Sequence, residues 1–293
     1  MLDMPRARAR RLVVLAPALI GCGWWLGDAG EGDVVYGDSR CRVDAEGLHC
    51  ARHVTTLYTG LSGVTPREVH WQVPVGDPPA AGWPAAILFQ GTFVAAESFW
   101  DVPTSEVLGV YNQGLVTQAL LDAGYAVITP EARLAGAGAW ETNIPPMSLD
   151  WQHAGDHAFM LDIFAAIDDG EFGPLDGERL FAGGISSGGY MTSRVGLEYR
   201  ARVRALAIAS ASYATCSGAL CEVPSQSSEH PPTLFLHGSD DAVVPIDTMF
   251  DYRDALLDAG VVTDAIVAEG VGHGWIDAAP QAIVAWFDRH GGA

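Results

Sequence analysis

Continuous runs of apolar residues recur along the last two thirds of the chain, and most of them end at or near a glycine. Each of these runs predicts a strand, and the runs at 85–91 and 125–130 are typical of strands that are buried on both faces of a sheet. Earlier in the chain, HVTTLYTG (53–60) and REVHWQVPV (67–75) also have a β-like pattern. The six later runs are AAILFQG (85–91), YAVITP (125–130), RLFAGG (179–184), RALAIAS (204–210), TLFLHG (233–238) and DAIVAEG (264–270).

Segments with helical periodicity lie between and after these runs. Ser148 or Asp150 is the predicted N-cap of the helical segment 148–169. Because strands and helices alternate, we predict an α/β fold with a mostly parallel sheet and helices on both faces. The helical segments are 113–124, 148–169, 186–200, 244–260 and 279–291.

The first 32 residues have a different pattern. Arginine-rich residues 1–11 precede the apolar run LVVLAPALI (12–20), which is too short to span a membrane and is typical of a secretory signal. We therefore expect residues 1–21 to be a signal peptide. LIGC (19–22) resembles a bacterial lipobox, so Cys22 is a candidate for lipidation and membrane anchoring; an ordinary signal peptide is the alternative. The glycine-rich residues 22–32 are a predicted tether, and residues 33–293 a single domain.

The composition and the net charge exclude a disordered chain and argue against a nucleic-acid partner. Hydrophobic residues make up 49% of the 293 residues, which excludes a disordered chain. Sixteen basic residues stand against 36 acidic ones, for a net charge of -20. Such a surface repels phosphate backbones, so we expect no nucleic-acid partner.

Cysteine spacing agrees with export. Without Cys22, four cysteines remain, which allow three pairings. The simplest is local: Cys41 with Cys50 across a predicted hairpin, and Cys216 with Cys221 around a short loop. Disulfides of this kind form in oxidising compartments.

The motif GISSG (184–188) follows a predicted strand and opens a predicted helix. In a nucleophile elbow of this form, the serine is held in a strained turn and small flanking residues relieve the crowding. Ser186 is therefore the predicted nucleophile. The backbone N–H of Ser187 would point at the same position.

A serine hydroxyl needs a base that is oriented by an acid. Asp241, in LFLHGSDDAVVP (234–245), is the predicted acid, with Asp240 as the alternative. His273, between two glycines in EGVGHGW (269–275), is the predicted base.

The second oxyanion donor is expected after the first long apolar run, in Gln90-Gly91-Thr92. We predict that the Thr92 N–H is this donor and that Gln90 braces the loop or contacts the substrate.

Large aromatic residues in loops after strands would favour an apolar acyl chain. Phe93, Trp140 and Trp275 are the predicted substrate contacts; Phe99, Trp100 and Tyr111 fall in similar loops. His153 and His157 are four residues apart, but no third ligand accompanies them, so we predict neither a metal site nor a cofactor.

These residues resemble those of the α/β-hydrolase superfamily, whose chain order of nucleophile, acid and base they share. Within it, the GISSGG elbow, the HGSDDAVVP acid loop and the GVGHGW base loop resemble those of extracellular polyhydroxyalkanoate depolymerases, over about residues 80–290. The resemblance implies a metal-free triad, an acyl-enzyme and an ester or polyester substrate. The lipobox departs from this family, since it would hold the enzyme at the cell surface.

Other functions stay open at this point. A feruloyl- or acetylxylan-type carbohydrate esterase, a lipase-like esterase or a peptidase would share the elbow. A surface lipoprotein that binds ligands without catalysis would keep only the fold.

Overall fold

A computed structural model describes residues 31–60, 65–104, 107–133 and 138–292. The predicted signal peptide, Cys22 and most of the predicted tether lie outside these residues. The structure has one large sheet with helices on both faces, which confirms the predicted fold class.

The strands contain three to 11 residues each, and the helices contain 12 to 14. The strands are β1 Cys41–Val43, β2 Gly47–Cys50, β3 His53–Thr59, β4 Thr65–Gln72, β5 Trp83–Phe89, β6 Asp101–Pro103, β7 Ala126–Pro130, β8 Leu175–Ile185, β9 Leu206–Ala209, β10 Thr233–Gly238 and β11 Thr263–Ala268. The helices are α1 Val110–Asp122, α2 Gly155–Asp168, α3 Ser187–Glu198, α4 Ile246–Asp258 and α5 Ala279–His290.

The large sheet has the strand order β3-β4-β7-β5-β8-β9-β10-β11. β3 and β4 pair antiparallel, as do β4 and β7, and the remaining pairs are parallel. Parallel pairing brings the carboxyl ends of β5, β8, β10 and β11 to one edge, which is where ligand sites of such sheets lie. The last register pairs there are Phe89–Gly184, Ile185–Ala209 and Gly238–Ala268.

The central strands are buried on both faces because their alternate residues enter different cores. In β5, Ala86 and Leu88 pack with α1 and α5, whereas Ala85, Ile87 and Phe89 pack with α2 and α3. All five are fully buried. A third core forms between the sheet and α4.

The predicted helix over residues 148–169 is wrong in its first seven residues. Ala154 has an extended backbone (φ -70°, ψ 142°), so α2 begins only at Gly155, and neither Ser148 nor Asp150 caps it. The preceding residues form a short 3-10 turn in which the Trp151 side chain is buried. Burial of this tryptophan accompanies the break, which helical periodicity alone did not predict.

A second, three-stranded sheet joins β1, β2 and β6. Cys41 and Cys50 are opposite each other in its β1–β2 hairpin and form a disulfide. Cys216 and Cys221 form the other, so the structure adopts the predicted local pairing. None of the helices in the described ranges has the length and hydrophobicity of a membrane span.

Candidate active site

Ser186 lies in a sharp turn between the end of β8 and the start of α3. Its backbone is in a positive-φ conformation (φ 54°, ψ -122°) that non-glycine residues rarely adopt. Hydrogen bonds on both sides maintain the turn: the Ser186 N–H donates to Ala209 O (3.0 Å), and its carbonyl accepts from the Tyr190 N–H (3.0 Å). The strain expected of a nucleophile elbow is therefore present.

The flanking glycines are required by close backbone approach. A Cβ atom on Gly184 would lie 2.4 Å from Gly188 O, and one on Gly188 would lie 2.1 Å from Phe89 O. Both distances are far below van der Waals contact. The β5 backbone can thus pass directly beneath the turn only because these positions have no side chain.

Asp241 follows β10, and its side chain is almost fully buried. Its Oδ1 accepts the N–H groups of Val243 (2.9 Å) and Val244 (2.8 Å), and its Oδ2 lies 2.8 Å from His273 Nδ1. Burial alone would raise the pKa of Asp241, but hydrogen bonds from His237, His273 and the Val244 N–H hold it well below its usual range. The carboxylate therefore stays ionised beside His273.

Asp240, the alternative acid, is exposed and accepts a hydrogen bond from the Ser239 hydroxyl (2.9 Å). Of the two neighbouring aspartates, Asp241 is the one in contact with His273.

His273 lies in the loop after β11, where two backbones touch. The Trp275 N–H donates to Leu108 O (3.2 Å), and a Cβ on Gly274 would lie 2.7 Å from the Leu108 carbonyl carbon. This contact fixes the loop that carries the imidazole.

Ser186 and His273 line the same cavity, which has a volume of about 410 Å³. No hydrogen bond joins the Ser186 hydroxyl to the imidazole within the described ranges. The structure therefore brings the two side chains to one cavity, while the direct bond that proton transfer needs is not made in it.

His237, at the end of β10, is a residue whose role the sequence did not reveal. It is fully buried, and its Nε2 lies 2.9 Å from Val244 O and 3.3 Å from Asp241 Oδ2. Because Nε2 faces two oxygen atoms, it must carry the ring hydrogen. Asp241 thus lies between two histidines.

The segments that carry the two predicted oxyanion donors both lie next to Ser186. Ser187 begins α3, and the Gly91–Thr92 segment passes so close that a Cβ on Gly91 would lie 3.5 Å from Ser186 Cβ. In the described part of the chain, neither the Thr92 N–H nor the Ser187 N–H has a protein acceptor. Both are thus free to donate to a substrate oxygen.

The cavity has a mostly apolar lining. Phe93 and Trp275, two of the predicted substrate contacts, line it; Phe93 is 80% exposed, and Trp275 is buried with its Nε1 donating to Gln113 Oε1 (3.0 Å). The sequence did not identify the other apolar side chains of the lining, which are Val94, Leu108, Val110, Ile185 and Val243. Of these residues, Val243 could have been found from the sequence, because it lies two residues after Asp241.

Gln90 and Trp140, predicted as substrate contacts, do not line this cavity, and both are fully buried. Gln90 Nε2 donates to Glu131 Oε1 (3.2 Å), and Trp140 Nε1 donates to Gln90 O (3.0 Å). Trp140 also packs edge-on against Phe89. Their polar groups thus brace the loop that carries Thr92, and they are unavailable to a substrate. Phe99 and Trp100 are fully buried core residues.

A second cleft, of about 310 Å³, lies on the other side of His273. Tyr111, Asn112 and Asp277 give it a more polar lining. Leu108, His273 and Trp275 line both cavities.

The histidines at 153 and 157 do not converge. His153 Nδ1 lies 2.8 Å from Asp150 Oδ1, and His157 Nδ1 lies 2.6 Å from the Tyr199 hydroxyl. In the described ranges, ligand atoms of Asp44, Glu46 and His49 lie within 4.8 Å of one another, on the β1–β2 hairpin.

Comparison with known proteins identifies the family. No protein-family model matches the chain. A poly(3-hydroxyoctanoate) depolymerase from Pseudomonas fluorescens is 45% identical over 244 residues, which are 83% of this chain and 86% of that protein. The chain belongs to the same family as this polyhydroxyalkanoate depolymerase. This confirms the resemblance drawn from the three sequence motifs.

Two solved structures have a fold similar to that of this depolymerase-family chain. A dienelactone hydrolase-like promiscuous phosphotriesterase from metagenomic libraries is 15% identical, with a TM-score of 0.59 over 82% of this chain and 99% of that one. A truncated carbohydrate esterase from gut microbiota is 15% identical, with a TM-score of 0.56 over 85% and 98%. These likenesses confirm the α/β-hydrolase fold.

Proposed function

We propose that this chain is an extracellular depolymerase that hydrolyses a medium-chain-length polyhydroxyalkanoate through an acyl-enzyme on Ser186. The observation that carries the proposal is the apolar cavity bounded by both Ser186 and His273. The 45% identity to a poly(3-hydroxyoctanoate) depolymerase supports this substrate class.

The reaction begins with proton transfer. His273, oriented by Asp241, takes the hydroxyl proton of Ser186 as the oxygen attacks the ester carbonyl carbon. In the absence of substrate, the bond between such a pair is often long and tightens when the substrate binds. The negative charge of Asp241 stabilises the imidazolium that forms.

The carbonyl oxygen becomes an oxyanion in this step. The N–H groups of Thr92 and Ser187 donate to it from two directions, and each such donor typically contributes about 3 kcal/mol to transition-state stabilisation. The tetrahedral intermediate collapses when His273 returns its proton to the leaving alcohol oxygen. The ester C–O bond breaks, and the acyl group stays on Ser186.

Water then completes the turnover. His273 removes a proton from water as its oxygen attacks the acyl carbon, and the same two N–H groups hold the second oxyanion. The proton returns to Ser186 Oγ as the acyl–oxygen bond breaks. One ester bond and one water give one carboxylic acid and one alcohol.

The apolar lining supports an alkyl substituent on the acyl unit. A 3-hydroxyoctanoate unit has a five-carbon side chain, and burial of about 0.8 kcal/mol per methylene would stabilise it by about 4 kcal/mol. Val110, Ile185 and Val243 offer this environment. A sugar ester would instead need several polar partners, so the lining favours the polyester over the carbohydrate esterase alternative.

The rim of the cavity supports a water-insoluble substrate. Phe93, Leu108 and Val243 line the cavity while remaining 80%, 47% and 58% exposed. Val107, which precedes Leu108 in the sequence, and Val271, which lines the second cleft, are exposed as well. Exposed apolar side chains around a cavity are typical of interaction sites.

The expected location follows from other features. Two disulfides support folding in an oxidising compartment, and residues 1–21 support export. We further propose that Cys22 is lipidated, which would anchor the enzyme to the outer cell surface. Mass spectrometry of the mature N-terminus tests this: an acylated Cys22 supports it, and an unmodified N-terminus at another residue contradicts it.

Hydrolysis of polymer latex tests the activity. We expect the wild type to clear a suspension of poly(3-hydroxyoctanoate) and to act weakly on poly(3-hydroxybutyrate). Ser186→Ala should be inactive on both polymers and on p-nitrophenyl octanoate. Ser227→Ala, in an exposed loop outside the cavity lining, is the matched control and should retain activity. Lack of hydrolysis of every ester by the wild type would overturn the proposal.

A further inference from the structure

The loop between β5 and the short 3-10 turn Ala96–Phe99 carries the proposed oxyanion donor Thr92. Both ends of this loop are bound to one side chain. Glu131 Oε1 accepts from Gln90 Nε2 (3.2 Å), and Glu131 Oε2 accepts from the Ala96 N–H (2.7 Å). A single carboxylate thus connects the two ends of the loop.

Glu131 is only 6% exposed. Burial of a carboxylate costs free energy unless donors surround it. Its two oxygen atoms accept from the side chain at one end of the loop and from the backbone at the other. A carboxylate suits this position because it offers acceptors on both oxygen atoms, whereas an amide offers one acceptor and one donor.

The backbone of Glu131 is itself fixed. Its N–H donates to Glu68 O (2.9 Å), and its carbonyl accepts from Arg67 Nε (3.1 Å) and Nη2 (2.7 Å). Arg67 in turn forms a buried ion pair with Asp156 (2.7 Å), and its guanidinium lies 3.9 Å from the centre of the Phe159 ring. The carboxylate therefore extends from a rigid part of the sheet.

Gln90 is held at a second point, because Trp140 Nε1 donates to its carbonyl oxygen (3.0 Å). Its side chain and its peptide group are thus both fixed. The next residues are Gly91 and Thr92, which pass beside Ser186. Any shift of Gln90 would displace the Thr92 N–H relative to the nucleophile.

We infer that Glu131 is a positioning residue, which sets the direction of the Thr92 N–H toward the oxyanion by binding Gln90 and Ala96. The inference rests on the proposed function, since it requires Thr92 to act in ester hydrolysis. Glu131 itself does not line the cavity. Its effect must therefore appear in the transition state and hardly in substrate binding.

The test compares Glu131→Ala, Glu131→Gln and Gln90→Ala with the wild type on p-nitrophenyl octanoate. Rates are expressed per active site, counted by titration with a fluorophosphonate. We expect kcat to fall about tenfold to a hundredfold in Glu131→Ala, with KM changed less than about twofold. Gln90→Ala should have a smaller effect on kcat and should add little in the double variant, because the two side chains act through one contact.

An alkylboronic acid gives a second readout. Its boron bonds to the Ser186 oxygen and forms a tetrahedral adduct, so its affinity should fall in parallel with kcat. A purely structural role would lower the melting temperature and the fraction of active sites, but would leave kcat per active site and boronate affinity unchanged. That result would overturn the inference.

The control is Asp168→Asn. Asp168 also binds an arginine, Arg202, but at the surface and outside the cavity lining, so kcat should not change. If Glu131→Ala does not fold, Gln90→Ala decides, because it removes the same contact from the other side; wild-type kcat in it would contradict the inference. Glu131→Gln retains the size and one acceptor, and its kcat should lie between those of Glu131→Ala and the wild type. A wild type without esterase activity would overturn the proposed function instead.

Discussion

His237 Nε2 lies 3.3 Å from Asp241 Oδ2, the same oxygen atom that His273 Nδ1 approaches to 2.8 Å. Within the described residues, His237 Nδ1 is buried with no hydrogen-bond partner. The ring therefore interacts through Nε2 alone. His237 contacts Asp241 from the protein interior, whereas His273, which contacts the same carboxylate, lines the cavity.

His237 should accordingly affect catalysis through Asp241. We expect His237→Leu to lower kcat about tenfold, since Asp241 would lose one of its donors and part of its orientation. His237→Gln can place an amide N–H near the position of Nε2 and should recover much of the loss. Equal kcat in the Leu, Gln and wild-type proteins would contradict this role.

Leu108 separates the two cavities beside His273. Its backbone is left-handed (φ 55°), and its side chain lines both spaces. Shortening it in Leu108→Ala should join the apolar cavity to the polar cleft and favour bulkier esters. We expect the ratio of kcat/KM for p-nitrophenyl dodecanoate to that for the butanoate to rise severalfold. An unchanged ratio across the chain-length series would contradict the assignment.

His230 should make stability depend on pH. Burial lowers the pKa of His230 to about 4, although its bond to the Pro231 carbonyl acts in the opposite direction. The unfolded chain takes up this proton near pH 6.5. Protonation therefore favours unfolding, so this contribution to stability is present above pH 6.5 and is lost as the pH falls toward 4.

The loss amounts to at most about 3 kcal/mol, at 1.36 kcal/mol per pH unit. Urea denaturation at pH 7.5 and pH 4.5 measures it. His230→Gln should reduce the difference between the two free energies of unfolding. The same pH dependence in the variant and the wild type would assign the effect to other groups.

The Cys41–Cys50 disulfide should contribute to stability and not to catalysis. It connects paired residues of β1 and β2, in the small sheet. Closing a loop of this length typically stabilises the fold by about 2–3 kcal/mol. Replacing both cysteines by serine should lower the free energy of unfolding by this amount and leave kcat unchanged. A loss of activity at full stability would contradict the prediction.

Much of the fold was predictable because it rests on local patterns. The apolar runs at 85–91, 125–130, 179–184, 204–210 and 233–238 each contain a buried strand, since a strand with cores on both faces needs apolar residues at every position. The elbow motif also predicted the position of Ser186 between a strand and a helix, because close backbone contacts within the turn require its glycines.

Features that depend on distant contacts were not predictable. The three-residue strand β6 has no pattern of its own, and it exists because β2 pairs with it. A loop tryptophan such as Trp140 can line a cavity or fill a core, and only the packing of Phe89 and Arg67 around it decides. The roles of His237 and Glu131 likewise depend on residues that meet only in the folded chain.

Mass spectrometry of the protein after reaction with an alkyl fluorophosphonate shows directly whether Ser186 is the nucleophile. We predict one adduct per chain on the peptide that contains Ser186, no adduct in Ser186→Ala, and much slower labelling in His273→Ala. An adduct on another residue, or wild-type esterase activity in Ser186→Ala, would contradict the assignment of Ser186 as the nucleophile.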